Sequence, residues 1–224
     1  MLVFVGDTHG HFKTLKHILR EVDSLATVFH VGDFGYRIGA QEEWDAAQID
    51  RSIYFIDGNH DQSPALIDLT EITEVWPNAF YIPRGTVMEK DGKRLAFMGG
   101  AGSVDKAWRH PGFDWFPEEQ IRRYDVDKLI QNLATNPNDF TVLKPVDILV
   151  THTPPNDCIQ ANFDPRDLVN YFNLPITWRD PSAYEIEAIA HRLGNPQIIC
   201  GHMHRAVKWA NVRILNINEV MTLE

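Results

Sequence analysis

Short polar turns that contain Asp, Asn and His follow five separate apolar segments of this 224-residue chain. The turns are Gly6-Asp7-Thr8-His9, Gly32-Asp33, Gly58-Asn59-His60-Asp61, Thr151-His152 and Gly201-His202-Met203-His204. Carboxylate, amide oxygen and imidazole together suit Mn, Fe, Zn or Ni better than Ca or Mg. Two cations about 3.5–4 Å apart can hold both the attacking and the leaving oxygen of an in-line displacement at phosphorus. The pattern therefore indicates a two-metal site for phosphate-ester hydrolysis.

The apolar segments before these turns are typical of strands that are buried on both faces of a layered α/β fold. They cover Leu2–Val5, Thr27–Val31, Ser52–Ile56, Val146–Val150 and Gln197–Cys200. Ligands in open α/β sheets bind beyond the carboxyl ends of the strands, so we expect the five turns to converge. A glycine before four of the five groups of donors permits a tight turn and a close approach of phosphate.

Apolar spacing and capping signals predict the elements that must position these strands. Helices are predicted over residues 15–22, 42–49, 118–133 and 182–193, the last with a capping-box pattern at Ser182 and Glu185. Hairpins are predicted over residues 86–98 and 206–217. Residues 101–117 and 156–181 are predicted to be long irregular loops, which are usually functional in a compact domain.

Length, charge and cysteine content narrow the class of protein. The length favours a single domain over residues 1–224. A net charge of −10 argues against broad binding to nucleic acid or anionic lipid, so a small phosphate ester or nucleotide is the expected partner. Two cysteines and the absence of a long apolar segment favour a cytoplasmic protein without a membrane span. The sequence does not determine the oligomeric state, and it is compatible with a homo-oligomer.

In this order, the five motifs resemble the calcineurin-like metallophosphoesterase family, and the resemblance extends over nearly the whole chain. It implies a four-layer αββα sandwich of two mixed β-sheets flanked by helices. It also implies a pair of divalent cations, for which Mn is the first candidate and Fe, Zn and Ni are the alternatives. The implied ligands are Asp7, His9 and His204 for one metal, Asn59, His152 and His202 for the other, and Asp33 as the bridge. His60 would be the general acid or a clamp on the transition state, with Asp61 orienting it.

The chain departs from the protein Ser/Thr phosphatase branch of that family at two positions. Phe34 follows Asp33 where the branch has a second Asp, and Asp57 stands where the branch has an Arg. A missing guanidinium removes a bidentate phosphate clamp, which argues against phosphoprotein substrates. Arg109 is our candidate for binding phosphate instead, with Trp108 or Trp115 as a stacking surface for a base. Trp178 and Arg179 are further candidates for substrate contact.

The sequence favours a phosphodiesterase for small nucleotides such as cyclic nucleotides, and three alternatives stay open. A phosphomonoesterase would use the same ligands. A DNA or RNA nuclease would need backbone contacts, against which the negative charge counts. A silent binding scaffold would be expected to have lost ligands, whereas all seven candidates and His60 are present.

Overall fold

Two six-stranded sheets contain most of the apolar segments of the chain, which a computed structural model describes over residues 1–224. A two-stranded hairpin of β8 and β9 completes the strands. The strands are β1 (Leu2–Val5), β2 (Thr27–His30), β3 (Ile53–Phe55), β4 (Thr73–Trp76), β5 (Ala79–Tyr81), β6 (Val87–Lys90), β7 (Lys93–Met98), β8 (Ala134–Asn136), β9 (Asp139–Leu143), β10 (Ile148–Thr151), β11 (Gln197–Cys200), β12 (Val207–Trp209), β13 (Val212–Ile214) and β14 (Val220–Leu223).

Each sheet has a parallel centre and antiparallel edges. The first sheet has the strand order β14-β1-β2-β3-β5-β4, in which β1, β2, β3 and β5 are parallel. The second has the order β12-β13-β11-β10-β7-β6, with β13, β11, β10 and β7 parallel. The predicted strands at the five apolar segments and both predicted hairpins are present. Because the central strands of each sheet are parallel, their carboxyl ends lie at one edge.

Alternating residues of the strands divide the core into layers. Successive side chains of a strand point to opposite faces of its sheet. Leu2 and Phe4 of β1 pack with Leu95 and Phe97 of β7 in a core between the two sheets. Val3, on the opposite face of β1, packs into a second core under helices. The chain is therefore a four-layer αββα sandwich, and the predicted fold class is confirmed.

The chain has seven helices, most of which pack on the outer faces of the two sheets. They are α1 (Phe12–Glu21), α2 (Gln41–Ala47), α3 (Ser63–Leu66), α4 (Arg123–Leu133), α5 (Asn156–Asn162), α6 (Pro165–Phe172) and α7 (Pro181–Arg192). Helices α1 and α2 bury Leu15 and Trp44 against the first sheet. Helices α4 and α7 bury Leu129 and Ile186 against the second sheet. None of the helices has the length and apolar character that a membrane crossing requires.

The helix predicted over residues 118–133 is interrupted. A 3-10 turn at Pro117–Glu119 is followed by extended backbone, and α4 begins only at Arg123. The buried Arg84 side chain is the cause, because it donates to the carbonyl oxygens of Glu118 and Glu119 at 3.0 Å and of Gln120 at 2.7 Å. These carbonyls would otherwise accept the next intrahelical hydrogen bonds.

The segment 156–181, predicted to be an irregular loop, contains α5 and α6. Asp164 caps α6 by accepting a hydrogen bond from Arg166 N, and Pro165 occupies the first turn, so the sequence did carry a start signal. Helix α7 begins at Pro181, one residue earlier than predicted, and Asp180 is its N-cap. Strands β4, β5, β8 and β9 were also not predicted, because each is short and has only partial apolar alternation.

Candidate metal centre

The five polar turns meet where parallel strands of both sheets end. Strands β1, β2 and β3 of the first sheet lead into the turns with Asp7, Asp33 and Asn59. Strands β10 and β11 of the second sheet lead into the turns with His152 and His202. Since the carboxyl ends of parallel strands share an edge, residues far apart in the chain come together there.

One group of donors comprises Asp7, His9, Asp33 and His204, whose ligand atoms all lie within 4.8 Å of one another. His204 Nε2 is 2.9 Å from His9 Nε2 and 3.3 Å from Asp7 Oδ2. Asp33 Oδ2 lies 3.8 Å from His9 Nδ1. Two carboxylates and two imidazoles in this volume form a candidate site for a divalent cation.

A second group of donors surrounds the other oxygen of Asp33. His152 Nε2 lies 3.3 Å from Asp33 Oδ1 and 3.2 Å from Asn59 Oδ1. The His202 ring is adjacent, with its centroid 5.0 Å from that of His152. His202 N donates to Asp7 Oδ2 at 2.9 Å, which ties this turn to the first group. Asp33 is thus the carboxylate that faces both groups.

The hydrogen-bond pattern of the site fits cations. His152 Nδ1 is 2.9 Å from the Val31 carbonyl oxygen, which can only accept a hydrogen bond. Nδ1 therefore carries a proton, and Nε2 is the nitrogen whose lone pair can bind a metal. Nε2 then faces two acceptors, Asn59 Oδ1 and Asp33 Oδ1. Asp33 Oδ2 is buried without any hydrogen-bond partner. Lone pairs that converge in this way are stabilised by a cation, and buried charges are otherwise costly.

The charges of the site are strongly coupled. Burial opposes ionisation of Asp33, but His152, with His60 and His9, holds its pKa well below the usual range. Burial likewise opposes protonation of His152, but the charge of Asp33 raises the pKa of this imidazole to about 10, so a second proton and a cation compete for the same position at Nε2. Burial and the charge of His152 lower the pKa of His202. The carboxylate at the centre is therefore ionised and attracts positive charge.

Several candidate ligands lie on strained backbone. Four of them have φ angles in the left-handed region, which residues other than glycine rarely adopt. The angles are 48° for His9, 51° for Asp33, 69° for His202 and 48° for His204. Such conformations cost about 1–3 kcal/mol each and persist where the surroundings determine them, commonly at functional sites. The close approach also requires glycine, because a Cβ at Gly201 would lie 2.0 Å from Asp7 Oδ1.

His60 lies beside the cleft, whereas Asp61 is directed elsewhere. The His60 ring is 5.0 Å from the His9 ring, and its main-chain N donates to Asp33 Oδ1 at 2.8 Å. The Asp61 carboxylate is buried and accepts hydrogen bonds at 2.7–3.2 Å from main-chain N–H groups, those of Phe34, Gly35, Tyr36 and Gly58. None of these hydrogen bonds goes to the His60 ring: three hold the turn after Asp33, and one holds Gly58, in the turn that carries His60. The role of Asp61 in orienting His60 therefore stays a prediction.

Arg109 is the residue that contacts the His60 ring. Its Nη2 lies 2.6 Å from His60 Nε2 and 2.9 Å from Nδ1. Its Nε donates to Asp105 Oδ2 at 2.9 Å, and its Nη1 donates to the Asn59 carbonyl oxygen at 3.2 Å. Trp108 does not line the cleft of the candidate ligands: it is 61% exposed and packs on Phe172, with ring centroids 5.4 Å apart. Arg109 is thus within the site, and Trp108 lies at its rim.

The sequence did not point to Ser103 and Glu119, which orient Asn59. Glu119 is buried and accepts hydrogen bonds from Trp115 Nε1 at 3.0 Å and from Ser103 Oγ at 2.7 Å. Because the only hydroxyl proton of Ser103 goes to Glu119, Ser103 Oγ must accept from the Asn59 amide, 3.1 Å away. Asn59 Nδ2 therefore faces Ser103, and Oδ1 faces His152. Only the folded chain brings Ser103 and Asn59 together.

Replacing Ser103 by alanine is expected to weaken the binding of one cation about 10- to 100-fold, the usual effect of losing a hydrogen bond that orients a ligand. Asn59 could then rotate its amide, while the group around Asp7 would be unaffected. Calorimetric titration with Mn²⁺ should show one weakened and one unchanged binding step. Ser182→Ala removes another buried hydroxyl and serves as the control. Two unchanged steps in Ser103→Ala would contradict the assigned orientation.

The fold and the donor set together are those of a metal-dependent phosphoester hydrolase. The family model described as calcineurin-like phosphoesterase matches residues 1–206, and the chain belongs to this family. The family is binuclear and metal-dependent. An uncharacterized protein of Haemophilus influenzae is 25% identical over 168 residues, which cover 69% of this chain and 71% of that protein. A search of solved structures found the NAD nucleotidase of Haemophilus influenzae, with 13% identity and a TM-score of 0.38 over 92% of this chain. The chain spans 38% of the length of that nucleotidase.

Proposed function

We propose that this protein hydrolyses phosphodiesters of small nucleotides, cyclic nucleotides among them, with two divalent cations, Mn²⁺ in preference to Fe, Zn or Ni. The position of Asp33 is the observation that carries the proposal. Its Oδ1 lies 3.3 Å from His152 Nε2, and its Oδ2 lies 3.8 Å from His9 Nδ1, so one carboxylate faces two groups of donors. We propose also that residues 1–224 act as a single domain.

The candidate ligands divide between the two cations with Asp33 shared. Asp7, His9 and His204 would hold one cation, and Asn59, His152 and His202 would hold the other. The bound pair would polarise the phosphate oxygens and make water an effective nucleophile near neutral pH. The net charge of −10 makes such local positive charge a requirement for binding any phosphate ester.

His60 and Arg109 supply the groups that the cations do not. We propose that His60 donates a proton to the leaving alkoxide. General acids contribute gains of about 10²–10⁴ in rate. Arg109 Nη2 contacts the His60 ring, whereas its other nitrogens donate to Asp105 and to main-chain carbonyls. A substrate phosphate would take the place of the His60 ring at Nη2, while Asp105 and the carbonyl oxygens hold the rest of the guanidinium.

A substrate panel with the Mn²⁺-loaded protein tests the proposal. The panel compares 2′,3′-cyclic, 3′,5′-cyclic and linear nucleotides with simple monoesters, and we expect the diesters to have the higher kcat/KM. His60→Gln should keep two equivalents of metal and lose about 10²–10⁴ in kcat. His17→Gln, at an exposed position of α1, is the control. Faster turnover of monoesters would show a phosphatase, and two bound metals without turnover of any ester would show a binding scaffold.

A further inference from the structure

A second pocket opens from the cleft of the candidate ligands. The cleft has a volume of about 380 Å³ and is lined by Asp33, Asn59, His60 and His202, among others. The adjoining pocket has a volume of about 340 Å³ and lies between α5, α6 and the segment before α7. We call it the Trp178 pocket. Its size falls within the range of about 300–1,000 Å³ that small-molecule sites occupy.

The Trp178 pocket and the cleft are continuous. Four residues line both of them: Val104, Leu168, His202 and Met203. A phosphate at the candidate ligands would therefore have its ester substituent within reach of the pocket. Leu168 belongs to α6, which has no buried residue, so this helix forms a wall over the two cavities without being part of the core.

The walls of the pocket suit a planar group with hydrogen-bonding edges. Phe163, Leu168 and Trp178 provide apolar and aromatic surface. Asn156 is only 5% exposed, lines the pocket and makes no side-chain hydrogen bond within the protein. An amide offers both a donor and an acceptor, as the edge of a nucleobase requires. The pocket therefore offers the edge of a nucleobase an amide that no group of the protein already pairs with.

The charge of the pocket disfavours a further phosphate. Its lining includes three carboxylates, those of Asp164, Asp167 and Asp180, against the single guanidinium of Arg179. Arg179 Nη1 donates to the carbonyl oxygens of Ile176 and Trp178, at 3.0 and 2.7 Å, so only part of this guanidinium could compensate the carboxylates. Asp164 is paired with Arg166, and Asp180 already accepts hydrogen bonds from Thr153 Oγ1 and from two main-chain N–H groups. Asp167 is therefore the carboxylate left to accept a hydrogen bond from a sugar hydroxyl and to repel a phosphate.

We infer that the Trp178 pocket binds the nucleoside portion of a phosphodiester whose phosphate lies at the candidate ligands, and that it rejects a nucleoside with a further phosphate. The inference rests on the proposed function and names its substrate class. The pocket thereby distinguishes nucleosides with a single esterified phosphate from polyphosphorylated ones.

Two esters with the same leaving group test the inference on the Mn²⁺-loaded protein. Thymidine 5′-(p-nitrophenyl phosphate) should have a kcat/KM at least about tenfold above that of methyl p-nitrophenyl phosphate, since base–aromatic stacking has effects of this size. Trp178→Ala should remove most of this ratio and change turnover of the methyl ester less than about twofold. Tyr124→Ala, at an aromatic position outside both cavities, should preserve the ratio.

A third ester and a binding measurement complete the test. Adding a 3′-phosphate to the thymidine ester should lower kcat/KM about tenfold; an increase would overturn the inference. Equal turnover of the thymidine and methyl esters would also overturn it. Calorimetric titration with thymidine separates the inference from the proposed function. Binding that Trp178→Ala abolishes supports the pocket even if no ester is turned over, whereas no binding to the unmodified protein refutes it.

Discussion

Replacing Asp33 by alanine is expected to remove both cations and to lower kcat/KM by about 10³-fold or more, because a bridging carboxylate contributes several kcal/mol through the metals it holds. Asp33 is fully buried, and its two oxygens face His152 and His9 at 3.3 and 3.8 Å. No other carboxylate lies between the two groups of donors. Metal content after dialysis and turnover of bis-p-nitrophenyl phosphate with Mn²⁺ are the measurements.

Replacing Asp33 by asparagine distinguishes an effect on metal binding from an effect on folding. Asp33→Asn keeps the size of the side chain and an acceptor for His60 N, which donates to Oδ1 at 2.8 Å. We expect a folded protein by circular dichroism with weakened metal binding and little turnover. Asp147→Asn is the matched control, because Asp147 only accepts from Arg94 N at the other end of the strands. If Asp33→Asn kept two equivalents of metal and full turnover, Asp33 could not be the bridge.

Replacing Arg84 by alanine is expected to lower the free energy of unfolding by about 3–5 kcal/mol, the cost of leaving buried charges unpaired. Arg84 is 4% exposed and contacts two buried carboxylates, with Nε 3.1 Å from Asp57 Oδ2 and Nη1 3.4 Å from Asp125 Oδ2. It also binds three carbonyl oxygens of residues 118–120. For a chain of this length, the midpoint of thermal unfolding should fall by about 10 °C.

The exposed pair of Arg123 and Asp127 on α4 provides the control. Arg123→Ala removes an arginine with 80% side-chain exposure and should change stability by less than about 1 kcal/mol. The double variant Asp57→Ala with Arg84→Ala should be more stable than the sum of the single effects implies, since each charge is costly only without its partner. If Arg84→Ala lowered the free energy of unfolding by less than about 1 kcal/mol, the role assigned to the contacts of Arg84 with Asp57 and Asp125 would be ruled out.

The network also explains the departure from the phosphatase branch at Asp57. This carboxylate lies where that branch has an arginine, but here it is buried and bonded to Arg84 and to Tyr81, whose hydroxyl is 3.1 Å away. Asp57 therefore belongs to the interior beneath the site. The Arg109 guanidinium contacts the His60 ring, and its binding of a substrate phosphate stays a prediction, since most of its nitrogens are engaged within the protein.

The amino-acid sequence by itself determined the central strands and the composition of the turns that follow them. Both are local properties, because a strand buried on two faces needs a continuous apolar run and a tight turn needs glycine or a small polar residue. Once strands are parallel and neighbouring, their ends meet. The convergence of Asp7, Asp33, Asn59, His152 and His204 could therefore be predicted, whereas the metal that each would bind stays a prediction.

Only the tertiary structure decided which side chains support the site. Arg84 interrupts the predicted helix before α4 by binding carbonyl oxygens 34 to 36 residues away. Ser103 orients an amide 44 residues before it, and Asp61 binds a loop instead of the adjacent His60. These contacts have no local signal, because a hydrogen-bond donor or a buried charge takes whichever partner the packed chain brings within about 3 Å.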